Sequence, residues 1–343
     1  MKTYLTLFIV ACQSVVALAQ DGRDKTPYLT KSLANDAISN VVVNTSGGGI
    51  SVSGRAGESP RIEVYIRGNN DHELSKAEIE KRLAEDYEMT ISVNGHELTA
   101  TVKNRHNFSD GRNQMSISFK IFVPEHVATD LHTSGGGIEL DNLTGNEHFT
   151  TSGGGLALDK LHGTIFGHTS GGGIEVANSG SDLDLTTSGG GIVAKNCEGN
   201  IRLHTSGGGL ILEDLKGTIN AHTSGGGIEG NNIEGELITG TSGGGIDLKD
   251  MACSLEATTS GGDLRAEIKK VGKFMRLHAS GNIDLRIPAK EGLDLNLSAS
   301  NINDNILSGF NGQWERRHVS GSVNGGGVPV EAHASGDMDI KYN

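Results

Sequence analysis

Apolar residues alternate with polar ones along most of the chain, and the alternation restarts at a fixed interval. The tripeptide Ser-Gly-Gly begins at Ser134, Ser152, Ser170, Ser188, Ser206, Ser224, Ser242 and Ser260, an unbroken spacing of 18 residues. Counted from each serine, apolar side chains fall four and six residues on, as in Ile138 and Leu140, Leu156 and Leu158, or Leu210 and Leu212. A single apolar residue follows at nine (Leu143, Leu161, Cys197, Leu215, Ile233, Met251), and a second alternating pair at thirteen and fifteen (Leu183 and Leu185, Ile201 and Leu203). A period of two marks extended chain, so each unit predicts two short strands. One turn is expected at the glycine triplet and another near Gly145, Gly163, Gly199, Gly217 and Gly235. Threonine precedes every marker serine from Thr133 to Thr259 and completes the inward side of the second strand.

One such unit cannot bury its apolar side alone; stacked units can, with backbone hydrogen bonds running between equivalent strands of neighbours. The predicted fold class is therefore all-β, a parallel β-solenoid (β-helix) with 18-residue coils, right-handed by the general preference of parallel crossovers. Glycine at the corners is expected to supply positive φ and small girth. Degraded markers follow at Ser280, Ser300, Ser320 and Ser335, and an isolated early copy, NTSGGGISVSG, surrounds Ser46. Taken as successive coils at ~4.8 Å each, the thirteen markers predict a rod on the order of 60 Å long.

Residues 20–130 have a different texture and are expected to form a β-rich module covering the first end of the rod. Ser75 and Glu78 make a capping box, and Ile79, Leu83 and Tyr87 follow at helical spacing, which predicts an amphipathic helix near 75–87. Strand-like runs flank it at 61–66, 89–93, 98–102 and 116–123, and Asn94-Gly95 suits a hairpin turn. The expected division is thus 1–19, 20–130 and a repeat domain over 131–343.

The segment 1–19 reads as a signal peptide, with Lys2 ahead of an apolar run that ends in Ala17-Leu18-Ala19. A competing reading makes Ile9-Val10-Ala11-Cys12 a lipobox with Cys12 as a lipid anchor. No other stretch approaches the roughly 18 apolar residues of a spanning helix. The expected location is therefore the periplasm, the outer-membrane surface or the medium. Without the leader the chain carries 28 basic and 42 acidic residues, a field that makes nucleic acid and anionic membrane poor partners. Fifty-one glycines and only 4% aromatics rule out a conventional aromatic core, while 35% hydrophobic residues at regular spacing rule out a disordered chain. Cys197 and Cys253 lie three coils apart, about 14 Å, and are expected to stay unpaired because a disulfide needs Cα atoms within ~7 Å.

The repeated TSGGGI/L followed by an alternating apolar residue, together with the Val123-Pro124 step just before the array, resembles a bacterial family of exported β-solenoids of unknown function regarded as adhesins, related to the head-GIN auto-transporter adhesins. The resemblance covers most of the chain beyond the leader. It implies a β-helical fold in the cell envelope and brings no catalytic residues with it.

Chemistry is sparse in this pattern. The calcium-binding nonapeptide also gives 18 residues per coil, but Leu140, Leu158 and Val176 stand where its aspartates would be. The serine recurs eight times as a turn residue, unlike a single activated nucleophile. By fold analogy the enzymatic rival is a carbohydrate-active β-helix, a polysaccharide lyase or hydrolase. Against it, outward acids such as Glu139, Asp141, Asp159, Glu175 and Glu213 are scattered, and Phe149 and Phe166 are the only aromatics between 131 and 270. The expected function is a non-enzymatic envelope protein, an adhesin or interaction scaffold presenting flat sheet faces to an envelope or cell-surface protein or glycan, with no cofactor. One column stands out. His132, His168, His204, His222, His278, His318 and His333 all sit two residues before a marker serine, on the outward side. Thr150, Thr186 and Thr258 hold the same place elsewhere, which is ordinary filling of an exposed strand site. The sharper reading is a weak transition-metal site at His204 and His222 on adjacent coils, with His278 two or more coils away.

Overall fold

The computed structural model describes residues 26–68, 74–106, 114–303 and 307–343; the segment 1–19, expected to be a signal peptide, and Cys12 within it lie outside them. The chain forms a parallel β-solenoid of about nine turns with one helix among the described residues. In the regular coils each strand residue pairs with its equivalent 18 positions on: Ile138 with Leu156, Thr151 with Thr169, Leu203 with Ala221. The described strands form one continuous sheet, folded so that every coil contributes a stretch to each of two facing layers, the first and second sheets, and the aliphatic columns predicted from the alternation meet between them. Ile138, Leu140, Leu156, Ile201, Leu203, Leu210 and Leu212 are all at most 2% exposed. In most regular coils the two strands run on as one, as in Leu156–Thr169 and Leu210–Thr223.

The corners differ from expectation in a way that explains the sequence better. No glycine in the triplets of the Ser134 to Ser260 coils takes a positive φ. What they need is room. A Cβ on the middle glycine would sit 2.1 Å from the Gly136 carbonyl oxygen at Gly154 and 2.3 Å from the Gly191 nitrogen at Gly208. The third position is looser, 3.1 Å at Gly137, and there Asp263 replaces glycine in the Ser260 coil. The left-handed backbone lies at the other corner, and it starts three residues before the glycines singled out above. Asn142, Lys160, Asn178, Asn196, Asp214, Asn232 and Asp250, each eight past its serine, have φ between 51° and 58°. Asn and Asp tolerate that region through local hydrogen bonding. Here they also bond along the rod, as Asn232 Nδ2 donates to Asp214 Oδ1 at 2.6 Å and Asn178 Nδ2 to Asp159 Oδ1 at 2.7 Å. A second bend follows at Gly163, Gly199, Gly217 and Gly235, with φ from 106° to 127°.

The threonine column ties the corners together. Thr205 Oγ1 donates to Gly190 O of the preceding coil at 2.6 Å and accepts from Gly208 N–H of its own coil at 3.4 Å. The same pair of bonds recurs at Thr151, Thr169, Thr187, Thr223, Thr241 and Thr259. A buried hydroxyl so placed satisfies backbone groups that the turn leaves unpaired. Thr205→Val keeps the shape and removes both bonds. It should lower stability by about 1–2 kcal/mol, measured as a shift in the urea midpoint, with Thr205→Ser losing less.

At both ends the order in space departs from the order in the chain. The Ser46 copy is no isolated fragment: its strands Asn40–Thr45 and Ile50–Gly54 stack directly on the Ser134 coil, with Thr45 opposite Thr133 and Ile50 opposite Ile138. On its other side lie Glu97–Asn104 and Met115–Val123, also parallel. Antiparallel strands then close this end, Arg61–Gly68 against Met115–Val123 and Tyr87–Asn94 against Glu97–Asn104. The hairpin turn is Gly95-His96, one residue beyond the expected pair, with Gly95 at φ 60°. The helix spans Lys76–Asp86, and Ser75 caps it as expected, its Oγ accepting from Glu78 N–H at 3.2 Å, but the Glu78 carboxylate accepts from Arg82 Nε at 2.8 Å and Tyr87 already begins the next strand.

At the far end the four degraded markers do not stack in succession. Val328–Ala334 inserts between Leu264–Ala279 and Leu293–Ser298, so the Ser335 turn follows Ser280 and precedes Ser300. Phe310–Trp314 and His318–Val323 run antiparallel beyond them. Thirteen markers therefore do not make thirteen parallel turns, and the regular rod of about nine turns is on the order of 40 Å long.

Candidate functional site

Strand alternation places the histidine column in one outward row of the second sheet. Following the pairing, the row reads His132, Thr150, His168, Thr186, His204, His222, Gly240, Thr258, His278, His333, Ser298, His318. His204 and His222 stand directly opposite each other, as the spacing predicted. Burial against its neighbours, with a smaller contribution from the charge of His204, holds His222 below its ordinary value, which favours neutral imidazole. The distance of His278 from that pair also stands, but His278 is not alone. The inserted strand sets His333 beside it, and the two rings stack with centroids 5.1 Å apart at 15°. Sequence order could not show this neighbourhood, because 55 positions separate the two residues. Among the described residues no three His, Cys, Asp or Glu side chains converge so as to hold a metal ion.

A second outward row runs two residues ahead of the first: Asp130, His148, Phe166, Asp184, Arg202. His148 stacks on Phe166 at 5.2 Å and meets Asp130 Oδ1 at 3.3 Å. Phe166 is 44% exposed, a large apolar ring set between His148 and Asp184. Gly167 beside it points inward, where a Cβ would meet the buried Phe149 ring at 2.3 Å.

The first sheet carries two shallow depressions. One, of about 280 Å³, is lined by Ile211, Glu213, Glu229, Asp247 and Lys249; the other, of about 260 Å³, by Asn282, Asp284, Asn303, Asp337 and Asp339. Lysines on the same strand or on the neighbouring one answer several of these acids. Lys195 pairs with Glu213 at 2.9 Å, Lys249 with Asp247 at 3.2 Å and Lys341 with Asp339 at 2.5 Å. The Lys341 bond holds Asp339 below the usual carboxylate range. Asp339, held as an anion by Lys341, is a poor proton donor.

One group escaped the sequence reading. Glu147 lies thirteen past Ser134, in the inward column held by Ile165, Leu183, Ile201 and Ile219 in the coils that follow. It is 1% exposed; Thr129 donates a 2.5 Å hydrogen bond to Oε2, and Oε1 has no partner. Burial pushes its carboxyl up to about 7. A charged residue in an otherwise aliphatic column was the available signal. Cys197 and Cys253 are free and buried, and burial raises both thiols, Cys253 to about 12, which makes them inert core residues.

No family model matches the chain, and no curated protein matches it. Among solved structures, similarity extends to a putative cell adhesion protein from Clostridium sporogenes, at 12% identity over 92% of this chain and 98% of that one, with a TM-score of 0.21. A putative adhesin from Bacteroides fragilis covers 91% of this chain and 96% of its own at 11% identity and a TM-score of 0.27. At these scores neither likeness bears on role.

Proposed function

We propose that the chain is an exported, non-enzymatic interaction protein of the cell envelope, an adhesin or scaffold whose sheet faces engage a surface protein or glycan. The observation that carries this reading is the construction of the outer faces. A rigid repeating backbone holds straight rows of outward side chains whose chemistry changes from coil to coil, such as Asp130, His148, Phe166, Asp184 and Arg202. Rows of this kind suit many weak contacts along an extended partner rather than one enclosed small molecule. No helix among the described residues is long and apolar enough to cross a membrane, and the leader at 1–19 supplies the proposed route of export.

The test uses the chain without its leader, incubated with intact cells and with immobilised acidic and neutral glycans. Saturable binding is expected, weakened about tenfold by an outward change on the right stretch of the rod, with Phe166→Ser, Arg202→Ser and Arg276→Ser sampling three stretches. Shortening of any glycan above the buffer control would overturn the non-enzymatic reading.

A further inference from the structure

We propose that His278 and His333, with Ser298 behind them, bind a divalent transition metal of the copper, nickel or zinc class. The two imidazoles project outward from paired positions on adjacent parallel strands, one strand spacing apart, with their rings stacked and nearly parallel at 5.1 Å. Metal–nitrogen bonds of about 2.0–2.1 Å require the two donor nitrogens to approach each other more closely. Rotation about the side-chain torsions of these exposed rings accomplishes that without moving a strand.

The third residue distinguishes this pair from the one the sequence singled out. Ser298 stands opposite His333 on the next strand, and its Oγ lies 2.8 Å from His333 Nδ1. When Nδ1–H donates to that hydroxyl, the Nε2 lone pair faces outward, the tautomer a metal needs. An orienting partner on the far ring nitrogen is the usual companion of a metal-bound histidine. At His204 and His222 the corresponding place belongs to Gly240, which has no side chain to orient a ring. The surroundings also suit a cation. Arg276, two positions before His278, lies 3.4 Å from Glu256 and 3.9 Å from Glu331, so two carboxylates surround one guanidinium. Two imidazoles with water completing the shell make a modest site, and imidazole is a good ligand for copper, nickel and zinc alike.

Cu²⁺ provides the probe, titrated into the whole chain by calorimetry and followed by electron paramagnetic resonance for nitrogen coupling. One site with two coupled nitrogens is expected. His278→Thr and His333→Thr should each abolish it; threonine already holds this column at Thr150, Thr186 and Thr258, so the variants should fold, and circular dichroism checks that they do. Ser298→Ala should weaken binding by roughly tenfold, and His222→Thr should leave it unchanged. The proposal is overturned if Cu²⁺ does not bind, if the two threonine variants bind as the parent does, or if His222→Thr is the change that removes the site.

Discussion

Leu203→Asp should destabilise the fold by about 3–5 kcal/mol, while Arg202→Ser, one residue earlier, should change it by no more than about 0.5 kcal/mol. Leu203 is 2% exposed and stacks between Leu185 and Ala221 in the inward column, so the new carboxylate would have no cationic partner and no water. A carboxylic acid there must either stay protonated or force the coils apart, and both are costly. Arg202 points to solvent from the same strand, between Asp184 and Asn220. Exposed charges at such sites contribute little. Urea unfolding of the two variants reads the contrast directly. Equal losses at both positions would reject the in-and-out assignment on which the two-sheet core depends.

Glu147→Gln is expected to act in the opposite direction, stabilising the protein at alkaline pH. The carboxyl sits at about 7 in the folded chain against an ordinary 4.5, so between those values the folded state holds a proton that the unfolded state has released. Stability from this group is greatest in acid, declines as pH rises from about 4.5 to 7, and is at its minimum above that. The span corresponds to about 3 kcal/mol in all, of which roughly 2–3 kcal/mol should separate pH 5 from pH 8.5. Glutamine can keep a hydrogen bond with Thr129 and has no charge to bury. The parent should thus lose more stability than the variant over that interval, and identical pH slopes in the two proteins would show that Glu147 is hydrated in solution.

The parts of this fold that were legible in the sequence are those in which neighbours in space are a constant number of residues apart. Leu156 against Ile138 or His222 against His204 follows from the period alone, and the Ser75 cap follows from residues within one helical turn. The glycine triplets were visible, but their reason was not. Positive φ and close stacking both call for glycine, and the column eight past the serines, asparagine or aspartate in every coil from Ser134 to Ser242 but that of Lys160, was the clue that the left-handed backbone lay elsewhere. The ends were illegible for another reason. Whether Ser300 or Ser335 stacks on Ser280 depends on which strand edges meet, and that choice is made by contacts across tens of residues rather than by any local pattern. His278 with His333 was hidden by the same fact. Glu147 is a different case, since one acid in an aliphatic column can be read either as a register break or as a buried charge.

The placement of Val328–Ala334 between two strands that precede it in the chain alters how such a rod can be assembled. A solenoid that only adds coils in order can grow as each one emerges, and losing its last coil merely shortens it. Here Ile283–Ile287 covers the first part of Leu264–Ala279, but the stack built from the Ser46 coil onward halts with the outer edge of 275–279 open, and Leu293–Ser298 has nothing to lie against on that side. Both wait for residues 328–334, which close the gap as a keystone does. Fraying of that segment would uncover two strand edges at once in the body of the rod, so residues 328–334 act as a checkpoint on the whole far end.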